Sequence, residues 1–364
     1  MLSSVGISGD NDAMAERYLV LGGLGLVGRA VVERLVDEGC EVIGVGRRTP
    51  DDEHAIGATW HSVDLTDRAA CNRTFSALGR VTHIVYCALY ERPDLIAGWR
   101  DAEQIATNET MLRNVLDFVE PERHLTLLQG TKAYAAHLRP MSLPGKERSA
   151  RPPGANFYWN QEDLVRERSG AWQFTVLRPQ IVCGTAEGSP MNMVAAIGAL
   201  AALQDALGEA FAFPGTDGFV TEATDADLLA RAVLWAGRNE VAHGETYNVT
   251  NGDVIHWPSI WPDLAAALNV GCGEPRRMSL ADRADEFEAL WPSIAERHNL
   301  RRRPLTDLLG SSWQFADAVF GYAAAATTLL STVKIRQHGF ADCVDSSEMF
   351  ARHFQRLRDE RWLP

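Results

Sequence analysis

The chain has little cysteine, and what it has is unordered. Its six cysteines (Cys40, Cys71, Cys87, Cys183, Cys272 and Cys343) stand far apart without ligand-like spacing, so neither a disulfide framework nor a zinc site is suggested. The ten histidines show no HxxxH or comparable spacing, and no metal is expected. No apolar run approaches the roughly 20 residues that a membrane-spanning helix needs. The longest candidates, around Met193 to Leu203 and Val319 to Leu330, are rich in alanine and fit buried helices. The opening MLSSVGISGDNDAMAER has no apolar core of signal-peptide length and carries acidic residues. Residues 1–16 therefore read as a disordered leader, with the cytoplasm as the default compartment. Basic charge is also short. Against 48 Asp and Glu stand 35 Lys and Arg, and the formal charge of -13 argues against nucleic acid or an anionic membrane as partner. What remains is a small molecule, with a homodimer expected because two-fold dimers are the commonest soluble oligomer.

What the chain does hold is a nucleotide-binding unit from Tyr18 to Arg48, YLVLGGLGLVGRAVVERLVDEGCEVIGVGRR. An apolar strand runs into Gly22, Gly25 and Gly28, then a helix patterned by Val31, Val32, Leu35 and Val36, then a second apolar strand from Glu41 to Val45. Each glycine has a physical reason. Gly22 lets the chain turn off the strand, Gly25 lets backbone approach a pyrophosphate, and Gly28 lets the helix pack close to the sheet. The helix start at Leu26, Val27 and Gly28 offers unpaired N–H groups and the positive dipole end to phosphate. A glycine triplet alone is weak; flanked by strand, helix and strand, it is a dinucleotide fingerprint. At the end of the second strand an NAD site would carry Asp or Glu for the ribose hydroxyls. This chain has Arg47 and Arg48, whose guanidinium forks suit a 2′-phosphate, so the reading is NADPH. The plainer alternative is two solvated arginines at a strand end.

The rhythm continues. A third strand, Ala58 to Val63, ends at Asp64-Leu65 beside the expected adenine; Asp64 either accepts from the adenine amine or caps the helix beginning near Thr66. Val81 to Ala88 is an apolar strand of the kind buried on both faces of a parallel sheet. A helix from about Ala102 to Val119, a strand Leu125 to Leu128, a loop over Ala135 to Ala155, a helix from about Asn160 to Arg168 and a strand Trp172 to Leu177 follow. Alternation of this kind predicts an α/β fold, a Rossmann-like doubly wound parallel sheet over residues 17–190. Residues 191–364 are expected to be a smaller, mostly helical substrate-capping region that returns some strands to the core: a helix Asn192 to Leu207, a short strand Ala210 to Phe213, a helix Asp225 to Trp235 and a strand Thr246 to Val249. Trp235, Trp257, Trp261, Trp291 and Trp313 sit in apolar patterns there and read as core.

A tyrosine follows the fifth strand, as in extended short-chain dehydrogenases/reductases, but the usual YxxxK is missing: Tyr158 is followed four residues later by Glu162. A lysine stands instead at the end of the preceding strand, in Leu127-Leu128-Gln129-Gly130-Thr131-Lys132-Ala133-Tyr134. That displaced lysine, with Asn156-Phe157-Tyr158-Trp159-Asn160-Gln161-Glu162-Asp163, resembles the progesterone 5β-reductase/iridoid synthase-like enone reductases, whose patterns read TGRKHY and NFYYxxED. The resemblance extends through Arg113 to Asp117, Asp225 to Leu228, Asn248 to Val254 and His338-Gly339-Phe340. It implies an NADPH-dependent oxidoreductase acting on an α,β-unsaturated carbonyl compound, with Tyr158 and Lys132 as the functional pair. Thr131, Ala133 and Trp159 depart from the family's Arg, His and second Tyr, and Ala88-Leu89-Tyr90 departs from its Thr-Trp beside the nicotinamide. Pocket shape and substrate are therefore not carried over.

In such a reaction, negative charge gathers on the carbonyl oxygen, so the site needs a donor aimed at it. A phenol, with an ordinary pKa of about 10, supplies one. Lys132 either stabilises partial phenolate character on Tyr158 or binds the nicotinamide ribose. Pro179 to Ile181 are expected to present backbone groups to the carboxamide, and Arg178 is expected to be structural. Core packing is the plain alternative for Tyr158, a surface position for Lys132. Two other functions stay open: carbonyl reduction or sugar-nucleotide chemistry as in other extended members, and NADPH binding without turnover.

Overall fold

The computed structural model describes residues 16–50, 56–301 and 304–364. The expected leader lies outside the described residues except for Glu16, whose carboxylate accepts a hydrogen bond from the Arg238 guanidinium at 2.7 Å and so belongs to the fold. The strands in chain order are β1 (Arg17–Leu21), β2 (Glu41–Gly46), β3 (Thr59–Ser62), β4 (His83–Tyr86), β5 (His124–Leu128), β6 (Gln173–Pro179), β7 (Val182–Cys183), β8 (Thr224–Asp225) and β9 (Glu245–Val249). Between them run α1 (Leu26–Asp37), α2 (Arg68–Phe75), α3 (Leu95–Gly98), α4 (Ala102–Leu116), α5 (Phe157–Arg168), α6 (Met193–Ala206) and α7 (Ala226–Arg238). After β9 come α8 (Trp257–Leu268), α9 (Ala284–Arg297), α10 (Leu305–Leu309), α11 (Ser312–Val319), α12 (Val333–Gln337) and α13 (Ser346–Asp359).

Seven strands make one sheet in the order β3-β2-β1-β4-β5-β6-β9. Every pairing in it is parallel; Leu19, for example, lies opposite Ile43 on one side and Ile84 on the other. Side chains alternate across a strand, and both faces of this sheet are covered. Leu19, Leu21, Ile43, Val45, Ile84, Tyr86, Leu125 and Leu127 pack with residues of α2, α4 and α5. Tyr18, Val20, Val42, Val85, Leu177 and Tyr247 face α1 and α7 on the other side. That two-sided burial explains why the strands read as continuous apolar runs.

A separate apolar cluster holds α6, α8, α9, α10, α11 and α13 together, with Trp257, Trp261, Trp291 and Trp313 inside it. Trp235 instead packs against the sheet-side cluster. The region after residue 190 thus forms a helical cap, yet it also returns α7 and β9 to the sheet layer.

Several boundaries differ from expectation. Ala210 to Phe213 forms no strand; a single bridge joins Phe211 to Cys272. α5 starts at Phe157 rather than about Asn160, because the Asn156 side chain caps it by accepting from the Tyr158 N–H at 3.0 Å. Asp64 is not the helix cap. Asp67 holds that place, accepting from the N–H groups of Ala69 and Ala70, and α2 begins at Arg68.

Candidate active site

The C-terminal ends of β1, β2, β4, β5 and β6 lie along one edge, and the chain leaves each of them through a residue the sequence reading singled out. At β1, Gly22 has a left-handed φ of 80°, and its N–H donates to the Val45 carbonyl at 2.8 Å. A Cβ on Gly28 would lie 2.1 Å from the Gly22 oxygen, so the helix and loop approach too closely for any side chain. A Cβ on Gly25 would meet only the Gly22 oxygen, at 3.4 Å, and otherwise point into open space. Gly25 is also the N-cap of α1, where no side chain caps the helix and no acidic residue occupies the first turn, leaving the N–H groups around Leu26 and Val27 to an anion. These residues fit a pyrophosphate.

At the end of β2, Arg47 and Arg48 are exposed. Arg48 reaches the Glu187 carbonyl at 3.3 Å, and the Arg47 carbonyl accepts from the Ser62 hydroxyl at 2.8 Å. Asp64 is exposed as well; its carboxylate accepts from the Thr66 N–H at 2.9 Å and hydroxyl at 2.7 Å, which holds its pKa below the usual carboxylate value. Leu65 is buried, and its carbonyl accepts from the Asn114 amide on α4 at 2.9 Å.

After β5 come Gln129 and Gly130, then a 3-10 turn, Thr131–Tyr134, that carries Lys132. Asn156 ties this turn to α5: its amide nitrogen donates to the Lys132 carbonyl at 2.9 Å while its oxygen caps Tyr158. Tyr158 is 7% exposed, its carbonyl accepts from Gln129 at 3.1 Å, and a Cβ on Gly130 would sit 3.3 Å from its hydroxyl. Burial, reinforced by the charge of Glu91 and opposed by Arg178, pushes the phenol above the ordinary tyrosine pKa. Lys132 is partly buried, its side chain 11% exposed. Its ammonium donates to Glu91 at 3.0 Å and lies over the rings of Trp99 and Phe157. Burial lowers its pKa, and Glu91 counters that shift.

Glu162, which stands where other extended reductases keep a lysine, is the centre of a buried ionic network. It takes Arg178 at 3.3 Å, Arg166 at 3.0 Å and Arg151 at 3.2 Å. Arg178 also donates to Gln129 at 2.8 Å and Tyr134 at 3.4 Å, so it fastens β6 to β5 and α5 as a structural residue. Next to it, the buried Pro179 carbonyl lies near Gly130, and Ile181 adopts φ 41°, a left-handed conformation that is costly for a β-branched residue. The sequence gives no sign of Glu91 and Gln104, or of the pairing of Glu162, since no periodic pattern marks side chains that meet across loops. Also unforeseen are Asp225, Asp227 and His353, whose potential ligand atoms come within 4.8 Å of one another. There the Arg352 guanidinium already bonds both carboxylates. Among the described residues no helix is long and apolar enough to cross a membrane.

Known proteins bear out the fold and the resemblance. The UDP-glucose 4-epimerase of Thermus thermophilus, solved in complex with NAD, superposes with a TM-score of 0.63 at 20% identity, covering 94% of this chain and 99% of its own. An (S)-8-oxocitronellyl enol synthase of Nepeta racemosa is 29% identical over 98% of this chain and 96% of its own length. The 3-oxo-Delta(4,5)-steroid 5-beta-reductase of Arabidopsis thaliana is 27% identical over 95% of this chain and 92% of its own. These relatives are of the group to which the displaced lysine and the tyrosine motif pointed. Their common framework is broader, and its pattern matches residues 18–250: the chain belongs to the NAD dependent epimerase/dehydratase family.

Proposed function

We propose that the protein is an NADPH-dependent reductase of activated C=C bonds in α,β-unsaturated carbonyl compounds. The observation that carries this reading is the Tyr158 hydroxyl. It is held beside Gly130 at the strand-end edge, raised in pKa by burial, and hydrogen-bonded to no described residue. Placed at the strand-end edge, this hydroxyl is a donor available to a bound molecule. A developing enolate oxygen needs such a donor. The names of the full-length relatives, an enol synthase and a steroid 5-beta-reductase, support the same substrate chemistry.

The cradle of Gly22, Gly25, Leu26, Val27 and Gly28 is assigned to the pyrophosphate of the cofactor. Arg47 and Arg48 are assigned to its 2′-phosphate, Asp64 and Leu65 to the adenine, and Pro179 and Ile181 to the carboxamide. When bound, NADPH supplies the hydride that adds to the β-carbon. Tyr158 then donates its hydrogen bond to the carbonyl oxygen as charge accumulates there. The cation on Lys132 lowers the cost of that charge, and Lys132 with Tyr158 lines the nicotinamide end of the cofactor. The test is NADPH oxidation with small cyclic enones, enals, steroid enones and saturated ketones, with product identification. Saturated C–C products from enones support the proposal. Consumption with ketones alone would move the reading to carbonyl reduction, and none with either would move it to binding without turnover.

A further inference from the structure

Lys132 does not stand free. Its ammonium is paired with Glu91 at 3.0 Å, the two side chains being 11% and 4% exposed. Glu91 is itself anchored: its other oxygen accepts from the Gln104 amide on α4 at 2.5 Å. Gln104 is fully buried, and its own oxygen accepts from the Arg92 N–H at 3.0 Å, fastening the backbone next to Glu91. α3 closes over this amide so tightly that a Cβ on Gly98 would lie 2.5 Å from the Gln104 oxygen.

We infer that Glu91 is the positioning residue of the site, holding Lys132 in place and in its charged form on the turn that Asn156 ties to the start of α5. The inference rests on the proposed reading of Lys132 and Tyr158 as the functional pair. An ammonium this deeply buried without a counter-ion sheds its proton, since desolvation disfavours the charged form. A neutral amine has no charge to offer an anionic oxygen. Among the described residues, Lys132 ion-pairs with no other carboxylate. The remaining groups near it do not replace Glu91. Trp99 and Phe157 present ring faces 4.6 and 5.6 Å from the nitrogen, which attract a cation but do not take its hydrogen bonds. His137 stacks edge-on against Trp99, and burial, with Lys132 and Arg100 nearby, lowers its pKa to about 4, leaving it neutral. Arg178, from β6, acts on Tyr158 in the opposite sense to Glu91. Glu91 thus acts on both residues: it favours the ammonium on Lys132, and it adds to the burial that raises the Tyr158 phenol.

The chain has only three lysines, Lys132, Lys146 and Lys334, so the full-length protein labelled with 13C at the lysine Cε gives a short NMR spectrum, assignable with K146R and K334R. In the wild type, the Lys132 signal should report an ammonium at the pH of the turnover assay. In E91Q its midpoint should move down by roughly 1–3 pH units, and E91D should restore most of it. Enone turnover of E91Q should fall on the alkaline side with the same midpoint, a response that a merely structural role would not produce. An unchanged Lys132 midpoint in E91Q overturns the inference. So does a wild-type lysine already neutral at the pH of the turnover assay, a result that decides even if E91Q fails to fold. The NMR readout needs no turnover. If no enone is reduced while Lys132 still follows Glu91, the proposed function fails and the coupling stands.

Discussion

Tyr158 carries a hydroxyl that its ring packing does not use. In Tyr158→Phe the ring stays against Phe157, its edge-on neighbour at 4.6 Å, and only the donor is lost. Turnover of enones should then fall by roughly 10–10³-fold, the scale of losing one oxyanion donor, while NADPH affinity stays the same. An electrophilic enal should lose less than a steroid enone. Steady-state rates and cofactor titration check this, and unchanged turnover across enones of different reactivity would return Tyr158 to a packing role. Arg47 and Arg48 make a second residue-scale case. Both are exposed at the end of β2, and Arg48 reaches the Glu187 carbonyl at 3.3 Å and its carboxylate at 3.9 Å. Replacing both with Ala should weaken NADPH binding by about 1.5–3 kcal/mol per lost contact and leave NADH binding nearly untouched. Equal loss for both cofactors would sink the 2′-phosphate assignment.

At the scale of elements, the join between β1 and α1 holds two glycines of one motif in different surroundings. A side chain on Gly25 projects into open space, so Gly25→Val should fold normally and fail only in cofactor titration. One on Gly28 collides with the Gly22 backbone, so Gly28→Val should lower the melting temperature as well. Matching melting curves for the two variants would contradict that geometry. The join between α5 and β6 depends on Glu162. With Glu162 and Arg178 5% and 6% exposed at the side chain, Glu162→Gln leaves a guanidinium buried with only neutral acceptors. The expected cost is about 3–5 kcal/mol, read from denaturant midpoints.

For the molecule as a whole, pH acts through the end of the sheet opposite the site. His83 and His124 open β4 and β5, and both are buried. Burial lowers their pKa values from 6.5 to about 4 and about 3 respectively. The unfolded chain therefore binds more protons than the folded one below 6.5, and stability falls as pH drops through that window. Each histidine contributes a slope of about 1.4 kcal/mol per pH unit until its folded form also titrates. Melting temperature should decline steadily from about pH 6.5 towards about pH 4, and His83→Phe should make the decline shallower. A flat profile in that range would show that these imidazoles are charged in the folded protein. Carboxylates held low by arginines, such as Glu162, Glu33 and Glu360, add their loss as pH falls through the ordinary carboxylate range towards their lower folded values.

The sequence by itself determined the sheet and its first crossover, because apolar runs, turn glycines and strand–helix alternation are local properties with fixed periods. It also marked Tyr158 and Lys132, since both sit in short strings that survive without knowledge of the fold. Only the tertiary structure decided what surrounds them. Glu91 meets Lys132 across 41 residues of chain, Asn248 meets Tyr134 across 114, and Asp225 meets His353 across 128. None of these pairs has a periodic signature. Each exists because loops close and bring buried polar or charged groups together, where an unpaired group would be too costly to keep. The same reason hid the role of Glu162, which reads locally as a broken YxxxK and in the fold is the counter-ion that Arg178 requires. Even the cap of α2 fell to Asp67 rather than Asp64 because the helix starts where its first N–H groups find an acceptor, a matter of one turn that periodicity does not resolve.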